Sequence, residues 1–408
     1  VEALYTMQDA EDVLKHFEGV AYGQVFKLND NLTLRFTDVG HLLGSASIEI
    51  WATEGAGKKK IVFSGDIGNK NKPLIRDPQY ITEADYVVME STYGNRYHKK
   101  DVNHVDSLAR IIQETLDRQG NVVIPAFAVG RTQELLYLIR HIKEERLVTG
   151  HDSFEVYVAT HVFKDNMLEC YDGETKALVE RGINPIDFPG LKLSITSEES
   201  KNINFDMTPK VIISAAGMCD AGRIRHHLKH NLWRPECSVV FAGYQAEGTL
   251  GRILQDGAQT VKIFGEEIDV RAHIETMEGI SGHADRDGLI TWISAFEKKP
   301  DYVFVVHGSE ESCVSFTDVL NTQLKLAAKA PFSGSQFDLI KGFWIKETEG
   351  VLIKKETAAK RRASGVYTRL VDAGKMLLDV IHRNEGGANK DLTRFTEQIL
   401  ALCDKWDR

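Results

Sequence analysis

Lys60-Ile-Val-Phe-Ser-Gly-Asp-Ile-Gly68 reads as a short apolar strand that breaks on small residues and delivers one carboxylate, Asp66. Working outward, Phe36-Thr-Asp-Val-Gly-His41, Tyr86-Val-Val-Met-Glu90 and Tyr302-Val-Phe-Val-Val-His307 follow the same plan and deliver His41, Glu90 and His307. The loop Ile280-Ser-Gly-His-Ala-Asp285 adds His283 among small residues. Runs of this length rich in β-branched residues predict strands at 32–37, 47–52, 60–64, 86–90, 122–127, 154–158, 211–214, 238–242, 261–264 and 302–306. Several are apolar throughout, as strands covered on both faces are. Between them lie helical patterns; over 132–145, Leu135, Leu136, Ile139 and Ile142 share one face. Strands alternating with helices predict an α/β fold, in which ligands collect at strand ends.

Composition narrows the class. The 408 residues make two or three domains the prior, with ample chain for a core. A 42% hydrophobic and 27% charged composition is that of a globular chain rather than a disordered one. No apolar run approaches the roughly 18 residues of a membrane span, so no membrane partner is expected. Fifty Lys and Arg against 59 Asp and Glu give a formal net charge of −9. That excludes a uniformly basic coat for nucleic acid but leaves room for a local basic groove. Cys170, Cys219, Cys237, Cys313 and Cys403 are widely spaced with no C-x-x-C pair, which suits a reduced, cytoplasmic protein without a thiolate zinc site.

His41, Asp66, Glu90, His283 and His307 together form a histidine–carboxylate set of the kind that holds a hydrolytic divalent ion. Each alone has a plainer reading; Asp66 between glycines also suits a turn. Three further strands run into loops that end in Gly-Arg: Pro125-Ala-Phe-Ala-Val-Gly-Arg131, Ser214-Ala-Ala-Gly-Met-Cys-Asp-Ala-Gly-Arg223 and Gly243-Tyr-Gln-Ala-Glu-Gly-Thr-Leu-Gly-Arg252. Backbone N–H groups at glycines such as Gly217, hydroxyls such as Ser214, and the forked donors of Arg131, Arg223 and Arg252 make a candidate phosphate-lined surface. Ordinary turns with surface arginines are the alternative. His226 and His230 in Arg225-His-His-Leu-Lys-His230 share a helix face but have no acidic partner, and the neighbouring bases suit phosphate better than metal.

These motifs resemble those of the β-CASP branch of metallo-β-lactamase-fold nucleases. Gly40-His-Leu-Leu-Gly-Ser-Ala46 is similar to that family's zinc-binding His motif, and Phe63-Ser-Gly-Asp-Ile-Gly68 to its zinc-bridging Asp motif. Glu90-Ser-Thr-Tyr-Gly94 resembles the acidic motif that opens the β-CASP insertion, Ser281-Gly-His-Ala-Asp285 its His motif, and Val306-His-Gly308 its late His. The three Gly-Arg loops and Pro331-Phe-Ser-Gly-Ser335 also resemble family segments, in family order. Two departures stand out. The upstream His-x-His-x-Asp-His motif is absent, which suits a chain beginning after it. Ala159-Thr-His-Val-Phe163 replaces the family's Asp-Ser-Pro-Leu-like stretch.

The resemblance implies an α/β metallo-β-lactamase fold of αββα layers, residues 1–93 and 268–345, interrupted by a β-CASP domain at 94–267. A basic linker and helical hairpin would follow at 346–408. It implies a zinc-dependent ribonuclease in which hydroxide held by two Zn2+ ions, with Mn2+ as the alternative, attacks the phosphorus. His41 would bind one ion and His307 the other, with Asp66 bridging. His283 would serve the leaving oxygen and Glu90 would orient it. Single-stranded RNA would enter between the domains, contacted by Arg131, Ser214, Gly217, Arg223 and Arg252. Without the upstream ligands, turnover by the chain as given would be impaired. A non-catalytic RNA-binding or scaffolding paralogue is the alternative, and a small-molecule metallohydrolase a weaker one. In the tail, Leu392, Phe395, Ile399, Leu402 and Trp406 form an apolar stripe. It would be covered by the preceding helix or by a second copy in a homodimer.

Overall fold

The computed structural model describes residues 5–99, 103–159, 173–277, 279–351, 370, 373–374, 376–378 and 380–406. Residues from Val20 to Thr348 form one compact unit built on two sheets. The first contains β1 (Val25–Lys27), β2 (Leu32–Asp38), β3 (Ala46–Glu54), β4 (Gly57–Phe63) and β5 (Tyr86–Glu90) in sequential order. The second is all parallel, in the order β13-β10-β6-β9-β7-β8. Its strands are β6 (Val122–Pro125), β7 (Glu155–Ala159), β8 (Leu191–Leu193), β9 (Lys210–Ser214), β10 (Ser238–Phe241) and β13 (His273–Thr276). Between the last two, β11 (Thr260–Ile263) and β12 (Glu266–Asp269) make a hairpin. The chain then returns to the first sheet, where β14 (Tyr302–Val306) pairs parallel with β5 and β15 (Ala328–Lys329) extends the edge.

The second sheet is therefore an insertion between two strands that are neighbours in the first. Strand β13, up to Thr276, pairs with β10 in that second sheet.

Burial explains why the central strands read as unbroken apolar runs. β6, β9 and β10 are buried at every residue, sandwiched by helices on both faces. On one face the helices His104–Asp117 and Arg131–Glu144 contribute Leu108, Ile112, Leu135 and Ile139; on the other, Ile224–Asn231 contributes Leu228. In the first sheet, Trp292 and Phe316 from the helices Arg286–Ser294 and Glu310–Thr322 pack on Val87, Met89 and Val305. Burying each such side chain fully stabilises by roughly 1.5–3 kcal/mol. The opposite face is closed by β16 (Gln336–Asp338) and β17 (Phe343–Lys346), whose Phe337 and Trp344 pack on Tyr86 and Phe304.

Among the remaining described residues, Met7–Val13 is a short helix capped reciprocally by Thr6 and Asp9, and Asn389–Trp406 is a helix with no buried residue. Its stripe residues Leu402 and Trp406 stay exposed. The basic segment 354–369, and Thr160 to Phe163 of the divergent loop, lie outside the described residues. No described helix is long and apolar enough to cross a membrane.

Candidate metal centre

Parallel pairing brings the chemistry together. β4, β5 and β14 lie side by side and point the same way, with Phe63 opposite Val88 and Glu90 opposite Val306. Asp66, Glu90 and His307 therefore leave one edge of the sheet together. β2 runs the same way, because two antiparallel pairings separate it from β4, and it delivers His41 beyond Asp38. The loop around Asp66 is clamped between two others. Gly68 donates to Val39 O at 2.9 Å, Asn69 donates to Gly282 O at 2.9 Å, and Ala284 donates to Ile67 O at 2.7 Å. A Cβ on Gly68 would lie 1.9 Å from Gly40 O, so only glycine permits this backbone approach. His307 holds a φ of 51°, in the left-handed region that non-glycine residues visit uncommonly.

Asp66 faces two imidazoles. Its Oδ1 lies 3.2 Å from His307 Nε2, and its Oδ2 lies 3.8 Å from His41 Nε2. His41, Asp66 and His283 each offer one donor atom within 4.8 Å of the others. His283 Nδ1 lies 3.2 Å from Glu90 Oε1, leaving Nε2 as its free nitrogen for chemistry. Glu90 is almost fully buried and works on three fronts. Its carboxylate meets His283, accepts the Ile67 N–H at 2.5 Å and accepts the Thr92 N–H at 3.2 Å. The structure brings His41, Asp66, Glu90, His283 and His307 to one place, with His283 among the donors as well as beside Glu90.

The two half-buried histidines are set apart electrically. Burial, and then the neighbouring His283, push the His41 pKa down, so its neutral ligand form is favoured. For His283 burial acts the same way, but the hydrogen bond and charge of Glu90 outweigh it and raise the pKa. Burial also opposes ionisation of Glu90, yet contact with His283 holds its pKa below the ordinary value. His41 Nδ1 is buried without a hydrogen-bond partner, an orphaned polar atom in a nitrogen and oxygen donor set. Such a set without thiolate fits zinc or a similar hydrolytic ion.

Three neighbours escaped the sequence reading. His98 Nε2 lies 2.9 Å from the His283 carbonyl oxygen, and the Tyr93 ring stands edge-on to His283 at 6.1 Å. Ser45 Oγ accepts the N–H groups of His41 and Leu42, both at 3.1 Å, which fixes the loop that carries His41. A Ser four residues past a loop histidine is the local signal that was available.

Residues 132–254 match the Beta-Casp domain, and residues 267–331, holding His283 and His307, match the Zn-dependent metallo-hydrolase RNA specificity domain. Ribonuclease TTHA0252 of Thermus thermophilus is 35% identical over 321 residues, covering 78% of this chain and 72% of that protein. The chain belongs to the β-CASP ribonuclease family of the metallo-β-lactamase fold. An RNase J-like protein of Methanocaldococcus jannaschii is 31% identical over 81% of this chain and 76% of its own length. Transcription termination factor FttA of Thermococcus kodakarensis is 30% identical, and the chain spans 52% of that longer relative.

In the β-CASP part, the three Gly-Arg loops follow β6, β9 and β10, three adjacent parallel strands, and lock together. Gln245 Nε2 donates to Gly217 O at 3.0 Å, Gly251 N to Met218 O at 3.1 Å, and Ala126 N to Ser214 O at 3.0 Å. Two of the arginines are turned to protein partners. Arg131 bonds Glu134, and Arg223 donates to the carbonyl oxygens of Ser194 at 2.8 Å and Ile195 at 2.5 Å. Arg252, with 42% of its side chain exposed, pairs with Asp256 at the surface. Ser214 is buried. Glu134 is also reached by Lys72 Nζ at 2.8 Å, a largely buried ion pair that ties the loop after β4 to the helix Arg131–Glu144. Beside it, a Cβ on Gly130 would come within 2.3 Å of Leu42, so the same helix start packs on the loop of His41.

Proposed function

We propose that the chain is the core of a zinc-dependent ribonuclease that hydrolyses phosphodiester bonds of single-stranded RNA in a reduced, cytoplasmic setting. The observation that carries this reading is the meeting of His41, Asp66 and His283 donor atoms within 4.8 Å, with His307 on the second oxygen of Asp66. His41, Asp66 and His307 would hold the metal. Zinc held there would supply Lewis acidity and make water a competent nucleophile near neutral pH, a role Mn2+ would also suit. Glu90 keeps a proton on His283. When the P–O bond breaks, the leaving oxygen takes that proton from His283 Nε2.

A second reading has an observation of its own: His283 lies close enough to His41 and Asp66 to be a ligand itself. Either way the described residues supply fewer donors than two zinc sites of three or four protein ligands each require. On the described donors, the protein should retain less than one tightly bound zinc after dialysis and turn over slowly. Elemental analysis tests this, alongside cleavage of an end-labelled single-stranded RNA with zinc, with manganese and with a chelator. Two retained zinc ions, or cleavage undiminished by chelator, would overturn it. Firm RNA binding with no cleavage under any metal would favour the scaffolding alternative.

A further inference from the structure

An open cleft of about 460 Å³ begins at Ser281, beside the metal centre, and is lined by Tyr93, Arg96, Tyr97, Tyr244 and Arg252. Contacts run outward along it. The His283 and Tyr93 rings are 6.1 Å apart, and the Arg96 guanidinium lies 4.8 Å from the Tyr93 ring and 5.8 Å from that of Tyr244. Tyr93 is buried, but Tyr244 is 46% exposed and Tyr97 56%. On the adjoining loop Phe127 is 51% exposed, and its ring would come within 3.0 Å of a Cβ on Gly217. Both aromatics sit on the locked loops. Gln245, next to Tyr244, bonds the carbonyl of the same Gly217 that underlies Phe127.

We infer that Tyr244 and Phe127 are stacking platforms for the bases of single-stranded RNA, with Arg96 and Arg252 beside the backbone. Three features favour this over a grip on phosphates alone. Large ring faces are held in water on rigid loops, where they lose little freedom when a base stacks on them. Arg131 and Arg223, the arginines that could have tracked phosphates, are spent on protein partners. The chain as a whole carries a net charge of −9, so non-specific attraction is weak. Stacking is tolerant of sequence because every base has a π-face. The inference rests on the ribonuclease reading and adds to it the residues that hold the strand.

The test is fluorescence anisotropy of the whole chain in chelator, with oligoadenylate and with an abasic phosphodiester oligomer of equal length. The wild-type chain should bind oligoadenylate more tightly. Tyr244→Ala and Phe127→Ala should each weaken that binding by roughly five- to a hundred-fold, the range aromatic platforms contribute on single strands, while the abasic oligomer binds as before. Tyr244→Phe should keep the affinity. Phe127→Leu, which preserves apolar bulk on Gly217 without the π-face, should behave like Phe127→Ala. Equal wild-type affinity for the two oligomers, or unchanged oligoadenylate binding in folded Ala and Leu variants, overturns the stacking assignment and leaves the ribonuclease reading standing. No binding of either oligomer by the wild-type chain overturns both.

Discussion

Glu90 Oε1 lies 3.2 Å from His283 Nδ1 and also accepts the N–H of Ile67, the residue that follows Asp66. One buried carboxylate thus positions a histidine and the loop of its neighbouring carboxylate together. Glu90→Gln keeps an acceptor oxygen but loses the charge that holds the His283 proton. Cleavage should fall about a hundred-fold with metal content unchanged. Glu90→Ala also frees the Asp66 loop, so it should lose metal as well. Parallel turnover and elemental analyses separate the two effects.

In zinc-supplemented buffer, His307→Ala should lower both zinc content and cleavage, because it removes the imidazole facing Asp66 Oδ1. His283→Ala should lower cleavage while zinc stays near the wild-type level. Equal zinc loss in the two variants would show that His283 is a ligand.

Arg252 is the Gly-Arg arginine with a largely exposed partner, Asp256, at 2.8 Å. Arg252→Ala should reduce the log–log salt slope of RNA binding by about 0.7, the value for one phosphate contact on a single strand. Arg131→Ala should leave that slope alone. It should instead destabilise the fold by about 3 kcal/mol, because Glu134 loses one of its two cations in a low-dielectric seam. Salt titrations and urea unfolding read the two outcomes.

His227 is buried, with Ser200 Oγ at 3.0 Å from Nε2 and Asn204 Oδ1 at 2.9 Å from Nδ1. Burial, and then the nearby His226, His230 and Arg223, push its pKa down to about 4 from 6.5. Between these values the unfolded chain binds a proton that the folded one refuses, so stability rises with pH across the window. This contribution is complete above pH 6.5 and is lost as pH falls toward 4, on the order of 3 kcal/mol in all. His227→Gln should flatten that part of the urea-midpoint profile. An unchanged profile would place the titration elsewhere.

Strands such as Tyr86–Glu90 and Lys210–Ser214 were legible because burial on both faces leaves an unbroken apolar run. Edge strands such as Leu191–Leu193 and Ala328–Lys329 were not, since two or three residues are too few to carry a period. Asp66, Glu90 and His307 could be read from their places just past apolar runs. The approach of His283 to Glu90 could not, because it depends on where an insertion of nearly two hundred residues returns the chain. Arg131 is the instructive case. Its spacing from Glu134 within one helical turn was visible in the sequence, and that i,i+3 pairing decides where its guanidinium goes.

The Lys72–Glu134 contact has a practical corollary. Charges joined largely out of water feel less of the ionic atmosphere than exposed ones, whose interactions are screened beyond a Debye length of about 8 Å at physiological salt. Rising ionic strength therefore acts on the two kinds of bond unequally. A concentrated salt wash should weaken surface contacts to phosphates, such as any made by Arg252, while the seam joining the two sheets stays shut.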